Sequence, residues 1–179
     1  MFTPEERSLL LAHARSSVRT TVLRTGETMP AHPGHQALET PAGAFTTLHD
    51  STGMLRGCIG FVESRFRVWE TVLRTAAEAA QEDPRFEPVT PAELAGLSYE
   101  ISILSSLRRA AAQEVRAGLH GVLLSRGGRR GLLLPQVATE HGWDTERLLD
   151  ACCEKAGLPL GSWRSEAKIE VFTAEVISE

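Results

Sequence analysis

The residues whose types and spacing could do chemistry gather first in Leu55-Arg56-Gly57-Cys58-Ile59-Gly60-Phe61. A thiol reacts as its thiolate, and a guanidinium two residues away could favour that form where both side chains share a face. They share one if the stretch is a strand, because strand side chains alternate between the two faces of a sheet. Arg56, Cys58 and Gly60 then form a poor core surface and a plausible wall for a cleft, while Leu55, Gly57, Ile59 and Phe61 form an apolar face suited to a core. The two glycines would let a ligand or another segment come close to the backbone. Glu100 sits similarly in Leu97–Leu104, where Leu97, Tyr99, Ile101 and Ile103 alternate with Ser98, Glu100 and Ser102. It could pair with Arg56 or act as a carboxylate base; the plainer alternative is a solvated residue or an ion pair that holds register.

Other polar residues carry less. Asp83 and Arg85 could clamp a ligand, but a loop-fixing salt bridge with Phe86 anchored in the core is favoured, since loops need such fastenings to stay ordered. His32 and His35 lie in HPGH, and no cysteine or acid pattern completes a metal site, so they read as loop residues. Arg126-Gly127-Gly128-Arg129-Arg130 reads as the tip of a hairpin whose arginines could clasp phosphate or carboxylate groups, or simply be solvated. Neither phosphate-loop motif, G-x-x-x-x-G-K-[ST] or G-x-G-x-x-G, is present.

The elements that must position these residues follow from caps and periodicity. Thr3-Pro4-Glu5-Glu6 combines an N-cap, a proline at the first helical position and a capping-box glutamate. It opens a helix over 4–25 with Leu10, Ala14, Val18 and Val22 inward and Gly26 as its stop. Residues 26–42 are an irregular connection leading into the sheet. A strand over 43–48 and the polar turn 49–53 form a hairpin with the 55–61 strand. A helix over 67–81 buries Trp69, Val72, Leu73, Ala76 and Ala80, and Asp83-Pro84 stops it. Thr90-Pro91-Ala92-Glu93 opens a helix of one or two turns. Pro135 starts a short helical turn closed by Gly142, and Asp144 caps a helix whose inner side carries Leu148, Leu149, Cys152 and Ala156. Cys152 and Cys153 diverge by ~100° on that helix and are packing residues rather than a redox pair. Residues 168–177 supply one last strand, with Phe172, Ala174 and Val176 on one side.

The 179 residues fit one domain spanning 1–179, and 42 % hydrophobic with 23 % charged residues is ordinary for a globular core. A net charge of −4 disfavours a general binder of nucleic acid or anionic membrane. No apolar run approaches a membrane span, no signal peptide is evident, and three cysteines without a CxxC pair suit a reduced cytoplasmic protein.

With these residues laid out, the chain resembles the AMMECR-domain family, also met as component A of the AmmeMemoRadiSam systems. The likeness is carried by GAFTTL (43–48), LRGCIGF (55–61), DPRFEPVTPAEL (83–94), YEISILSSL (99–107), GLHGVLLSRGGRRGLLLPQVA (118–138), EHGWD (140–144) and KAGLP (155–159). It implies an α+β fold, a mainly antiparallel sheet packed with helices, and a smaller subdomain forming a cleft. On matching positions it marks Arg56, Cys58, Glu100, Arg130 and Gln136, with Gly57 and Gly60 shaping the backbone. It implies as partners a Memo-like protein, a radical S-adenosylmethionine enzyme and an unidentified small molecule. No cofactor or metal is implied for this chain itself. At Lys168–Phe172 relatives tend to carry an aromatic-basic pair that is missing here.

Two functional readings follow. In the first the chain is an enzyme or enzyme component using the Arg56/Cys58 wall, with Cys58, Arg56 and Glu100 as catalytic candidates. His120, in the matched GLHG segment, is the first histidine to examine as a base. In the second it is a binding, adaptor or regulatory module in which Arg56, Arg130 and Glu100 recognise a ligand or a partner's tail and Cys58 only packs.

Overall fold

In the computed structural model residues 1–25, 34–63 and 65–179 are described. The chain divides into two units, Met1–Leu104 with Glu175–Glu179, and Ser105–Ala174. Each has its own four-stranded sheet and its own core.

In the first unit, α1 (Pro4–Leu23) begins as its caps dictate. The Glu6 amide donates to the Thr3 hydroxyl at 3.3 Å, and the Thr3 amide donates to the Glu6 carboxylate at 2.8 Å. Leu10, Ala14 and Val18 are fully buried, and Val22 packs against the same cluster. The expected stop at Gly26 lies outside the described residues, as do His32 and most of the connection. The helix closes instead on Arg24, which adopts left-handed backbone at φ 51°. Gln36–Glu39 then form a 3-10 turn that buries Leu38 completely.

The first sheet runs β2-β1-β3-β8, with β1 Ala44–His49, β2 Leu55–Phe61, β3 Ser98–Leu104 and β8 Ala174–Ser178. Asp50 closes the β1–β2 turn by accepting from the Thr52 amide, the Thr52 hydroxyl and the Met54 amide. One face of the sheet packs under α2 (Val68–Gln81), whose Val72, Leu73, Ala76, Ala79 and Ala80 are buried, while Trp69 is only half-buried. The helix approaches so closely that a Cβ on Gly57 would lie 2.2 Å from the Ala79 carbonyl oxygen. Gly57 and Ile59 do face the core, but Leu55 is exposed and Phe61 half-buried, because β2 is an edge strand with a neighbour on one side only. The segment opened by Thr90 makes turns and a 3-10 turn over Leu94–Gly96 rather than an α-helix.

The second unit's sheet runs β4-β7-β5-β6, with β4 Arg108–Arg109, β5 Gly121–Arg126, β6 Arg129–Leu133 and β7 Lys168–Phe172. Gly127 and Gly128 take φ of 55° and 82°, the left-handed pair that a two-residue hairpin turn requires. On this sheet sit α3 (Pro135–His141), closed by Gly142 at φ 63°, and α4 (Thr145–Lys155). Asp144 caps α4 by accepting the Arg147 amide at 2.8 Å. The anticipated single strand over 168–177 is broken at Thr173, so that β7 and β8 belong to different sheets. The break is held by the Thr173 amide donating to the Ser105 hydroxyl and the Ser105 amide donating to the Thr173 carbonyl, both at 2.9 Å. Beyond it the inward residue is Ile177 and not Val176, since each sheet sets its own inner face.

Candidate functional site

Strand register builds the site. Thr47 on β1 is paired with Cys58 on β2 and with Glu100 on β3, so the three side chains stand in one row on the sheet face opposite α2. The next row on that face is Gly60, Phe45 and Ser102. Cys58, Thr47 and Glu100 are all half-buried. The Thr47 hydroxyl donates to the Cys58 sulfur at 3.2 Å. Among the described residues the Glu100 carboxylate has neither hydrogen bond nor ion pair. With strands ~4.8 Å apart, the backbones at Cys58 and Glu100 are separated by about 10 Å, with Thr47 between them. The space that Gly60 leaves is filled from within, since a Cβ there would meet the Phe45 ring at 2.2 Å.

The outer edge of β2 is closed by the loop after α2. At Cys58 the edge-facing amide donates to Asp83 Oδ2 at 2.8 Å, and the carbonyl accepts from Arg85 Nη2 at 3.3 Å. Asp83 is buried and also accepts from the Arg85 amide at 3.1 Å and from its guanidinium at 2.9 and 2.7 Å. These bonds hold the Asp83 carboxyl far below the usual carboxylate range, Arg85's side chain contributing most. Arg85 is correspondingly held protonated, first by Asp83 and further by the Cys58 side chain. The pair therefore works as the fastening that the sequence favoured, with one difference: Val89, not the half-buried Phe86, enters the core.

Arg56 pairs with Glu93, not Glu100. Its Nε and Nη2 reach the two Glu93 oxygens at 2.6 and 3.3 Å, and Nη1 donates to the Glu87 carbonyl at 2.9 Å. Glu93 also accepts from the Thr90 amide and hydroxyl, both at 2.7 Å. Its carboxyl is pulled down to about 2, mostly by Arg56. The Arg56 charge is thus neutralised locally, and the cation beside the Cys58 thiol is Arg85. Sequence reasoning read Glu93 as a helix cap and passed over Thr47; the cross-strand register was the signal for Thr47.

The remaining candidates belong to the second unit. Arg130 is exposed on β6 opposite Ser125, and Gln136 is half-buried in the first turn of α3. His120 accepts the Arg116 amide at Nδ1 at 3.1 Å. Desolvation first, then Arg108 and Arg116, lowers its pKa. Its basic lone pair is engaged within its own turn, which makes it a donor at Nε2 rather than a ready base. The arginines of this unit are largely paired: Arg108 with Glu114, Arg126 with Glu166, and Arg129 to the Gly157 carbonyl. Cys152 and Cys153 are fully buried, and burial pushes the Cys152 thiol up to about 12. Among the described residues no group of three or more histidines, cysteines or acids could hold a metal ion, and no helix is long and apolar enough to cross a membrane.

Fold and site together define an α+β protein with a thiol–hydroxyl–carboxylate row on an antiparallel sheet clasped by an Asp-Pro-Arg loop. The chain belongs to the AMMECR1 family, whose model matches residues 11–177. It is similar to protein Ta0236 of Thermoplasma acidophilum, 38 % identical over 97 % of this chain and 86 % of that one. Protein MK0488 of Methanopyrus kandleri is 37 % identical over 99 % of this chain and 90 % of its own length. Among solved structures, protein PH0010 from Pyrococcus horikoshii superposes with a TM-score of 0.86 at 34 % identity, covering 98 % of this chain and 92 % of that one.

Proposed function

We propose that the chain is a small-molecule-handling protein that receives its ligand on the outer face of β2-β1-β3, above the Cys58–Thr47–Glu100 row. One observation carries the reading: a half-buried carboxylate without a partner among the described residues stands on the same row as a thiol. A carboxylate placed so can accept from a ligand's N–H or O–H, or take its proton, while the thiol attacks or is held against an electrophilic carbon. Thr47 orients the sulfur by donating to it. A Memo-like protein and a radical S-adenosylmethionine enzyme are the partners in this reading, as the family resemblance implies, with the chain serving as an enzyme or enzyme component.

A non-catalytic binding or adaptor role is favoured by a different observation. Arg56 and Arg85 are each engaged by a carboxylate, Glu93 and Asp83, so no uncompensated cation activates the thiol. Cys58→Ser and Glu100→Gln separate the two. After incubation with the small-molecule fraction of a cell extract, the protein is washed and its retained ligands are identified by mass spectrometry. Retention lost in Glu100→Gln supports the ligand face. A covalent adduct on Cys58 favours the enzyme, and equal retention by Cys58→Ser without any adduct favours the adaptor. Identical retention by the wild type and Glu100→Gln, or by neither, removes the proposal.

A further inference from the structure

The sheet face that carries the Cys58–Thr47–Glu100 row holds a further titratable side chain just outside that row. Burial alternates along β1, with Ala44, Thr46 and Leu48 inward, so His49 shares the outer face with Phe45 and Thr47. The sequence groups His49 with the turn over 49–53, but in the fold it is the last residue of β1 and pairs with Ser98 on β3. It therefore stands in the row next to Cys58, Thr47 and Glu100. Diagonal neighbours on adjacent strands lie about 7–8 Å apart, within reach of aromatic and long side chains.

The imidazole is half-buried, so the residue keeps accessible surface, and its side chain has no hydrogen bond or ion pair among the described residues. The adjacent Asp50 is committed to the turn, where Oδ1 accepts from the Thr52 amide and hydroxyl and from the Met54 amide. Opposite His49 the edge strand bulges. Leu48 pairs with Gly57 but His49 with Leu55, which leaves Arg56 as the extra residue of β2. A bulge re-aims the side chain it carries, and Arg56 is held by Glu93 and the Glu87 carbonyl. The other charged groups around the thiol are the Arg85–Asp83 pair on the loop after α2 and Glu100 beyond Thr47. A carboxylate is a weak acceptor for a thiol proton, its ordinary pKa lying about four units lower, whereas an imidazole lies within about two.

We infer that His49 is the proton acceptor for Cys58. The inference rests on the row being the ligand face, and adds to it the group that turns the thiol into a nucleophile. The proton passes to an imidazole nitrogen through one bridging water. The S–H bond breaks, an N–H bond forms, and a thiolate–imidazolium pair results with no change in net charge. The Thr47 hydroxyl, donating to the sulfur at 3.2 Å, stabilises the thiolate as it forms.

The test follows iodoacetamide alkylation of Cys58 in the full chain by mass spectrometry, with no ligand added. Rates are compared at about pH 7 and at about pH 9.5, where a thiol ionises without help and the rate reports access alone. In His49→Gln and His49→Asn the rate at the lower pH should fall at least about threefold, equivalent to about half a unit in thiol ionisation, while the rate at the higher pH matches the wild type. A merely structural role would move both rates together. Cys152 and Cys153 are fully buried, so their failure to label reports folding in the same spectrum. A ratio of the two rates equal to the wild type's in a folded variant overturns the proposal. So does labelling of Cys152 and Cys153 in both variants, which would make His49 a structural residue. The ligand face is judged separately: ligand retention lost in Glu100→Gln, with an unchanged rate ratio in the His49 variants, removes the proton acceptor and leaves the face.

Discussion

Replacing Asp83 with alanine tests the clasp on the β2 edge most sharply. Asp83 accepts four hydrogen bonds, one from the Cys58 amide and three from Arg85. In Asp83→Ala the Cys58 amide loses its acceptor beside a buried position, at a cost of about 1–3 kcal/mol. The Arg85 side chain is 55 % exposed and rehydrates, so its lost ion pair adds only up to about 1 kcal/mol. A total near 2–3 kcal/mol corresponds to a fall in Tm of about 4–12 °C for a chain of this size. Urea and thermal unfolding at pH 7 measure this, and hydrogen exchange at the Cys58 amide should accelerate in the variant. The folded-state pKa of Asp83 is depressed, so its stabilisation is complete above the unfolded value of about 3.9 and is lost as pH falls toward the folded one. The stability gap between wild type and variant should therefore shrink on acidification below about pH 4. An Asp83→Ala protein within about 0.5 kcal/mol of the wild type at pH 7, with Cys58 amide exchange unchanged, would refute the reasoning.

Other outcomes follow from the same geometry. Gly57→Ala should destabilise by about 3 kcal/mol, because its Cβ would lie 2.2 Å from a helix carbonyl that cannot swing away; a neutral result in chemical denaturation would contradict the packing. Arg56→Lys, which cannot reproduce the two-pronged contact, should cost about 1 kcal/mol once solvent screening at the 35 % exposed Glu93 is allowed for. Because Glu93 is pulled down to about 2, that cost should be full above about pH 4.5 and fade below it, as unfolding at pH 3 and pH 7 would register. Iodoacetamide should label Cys58 faster than Cys152 or Cys153 in the folded protein, since the latter two are fully buried; equal, slow labelling of all three would remove Cys58 as an accessible thiol.

Much of the fold is legible in the sequence because its signals are local. The Thr3–Glu6 capping box, the Gly127-Gly128 turn, the Asp144 cap and the alternation through Tyr99, Ile101 and Ile103 each act within a few residues. The shared face of Cys58 and Glu100 was half legible, since period-2 alternation placed each on a polar face, but only register aligned them through Thr47. What stayed hidden was long-range pairing. A salt bridge between residues 37 positions apart, Arg56 to Glu93, leaves no local trace, and neither does a strand that changes sheets at Thr173. Leu55 misled for the same reason: composition does not say which strand is at the edge.

The central claim is that the Cys58–Thr47–Glu100 row is the face on which a small ligand is received. Alkylation of Cys58, timed by mass spectrometry with and without the small-molecule fraction of a cell extract, addresses it directly. The account predicts that the fraction slows labelling of Cys58 in the wild type and fails to slow it in Glu100→Gln, with Cys152 and Cys153 unaffected in both. A Cys58 rate indifferent to the fraction, or slowed equally in wild type and variant, would contradict it.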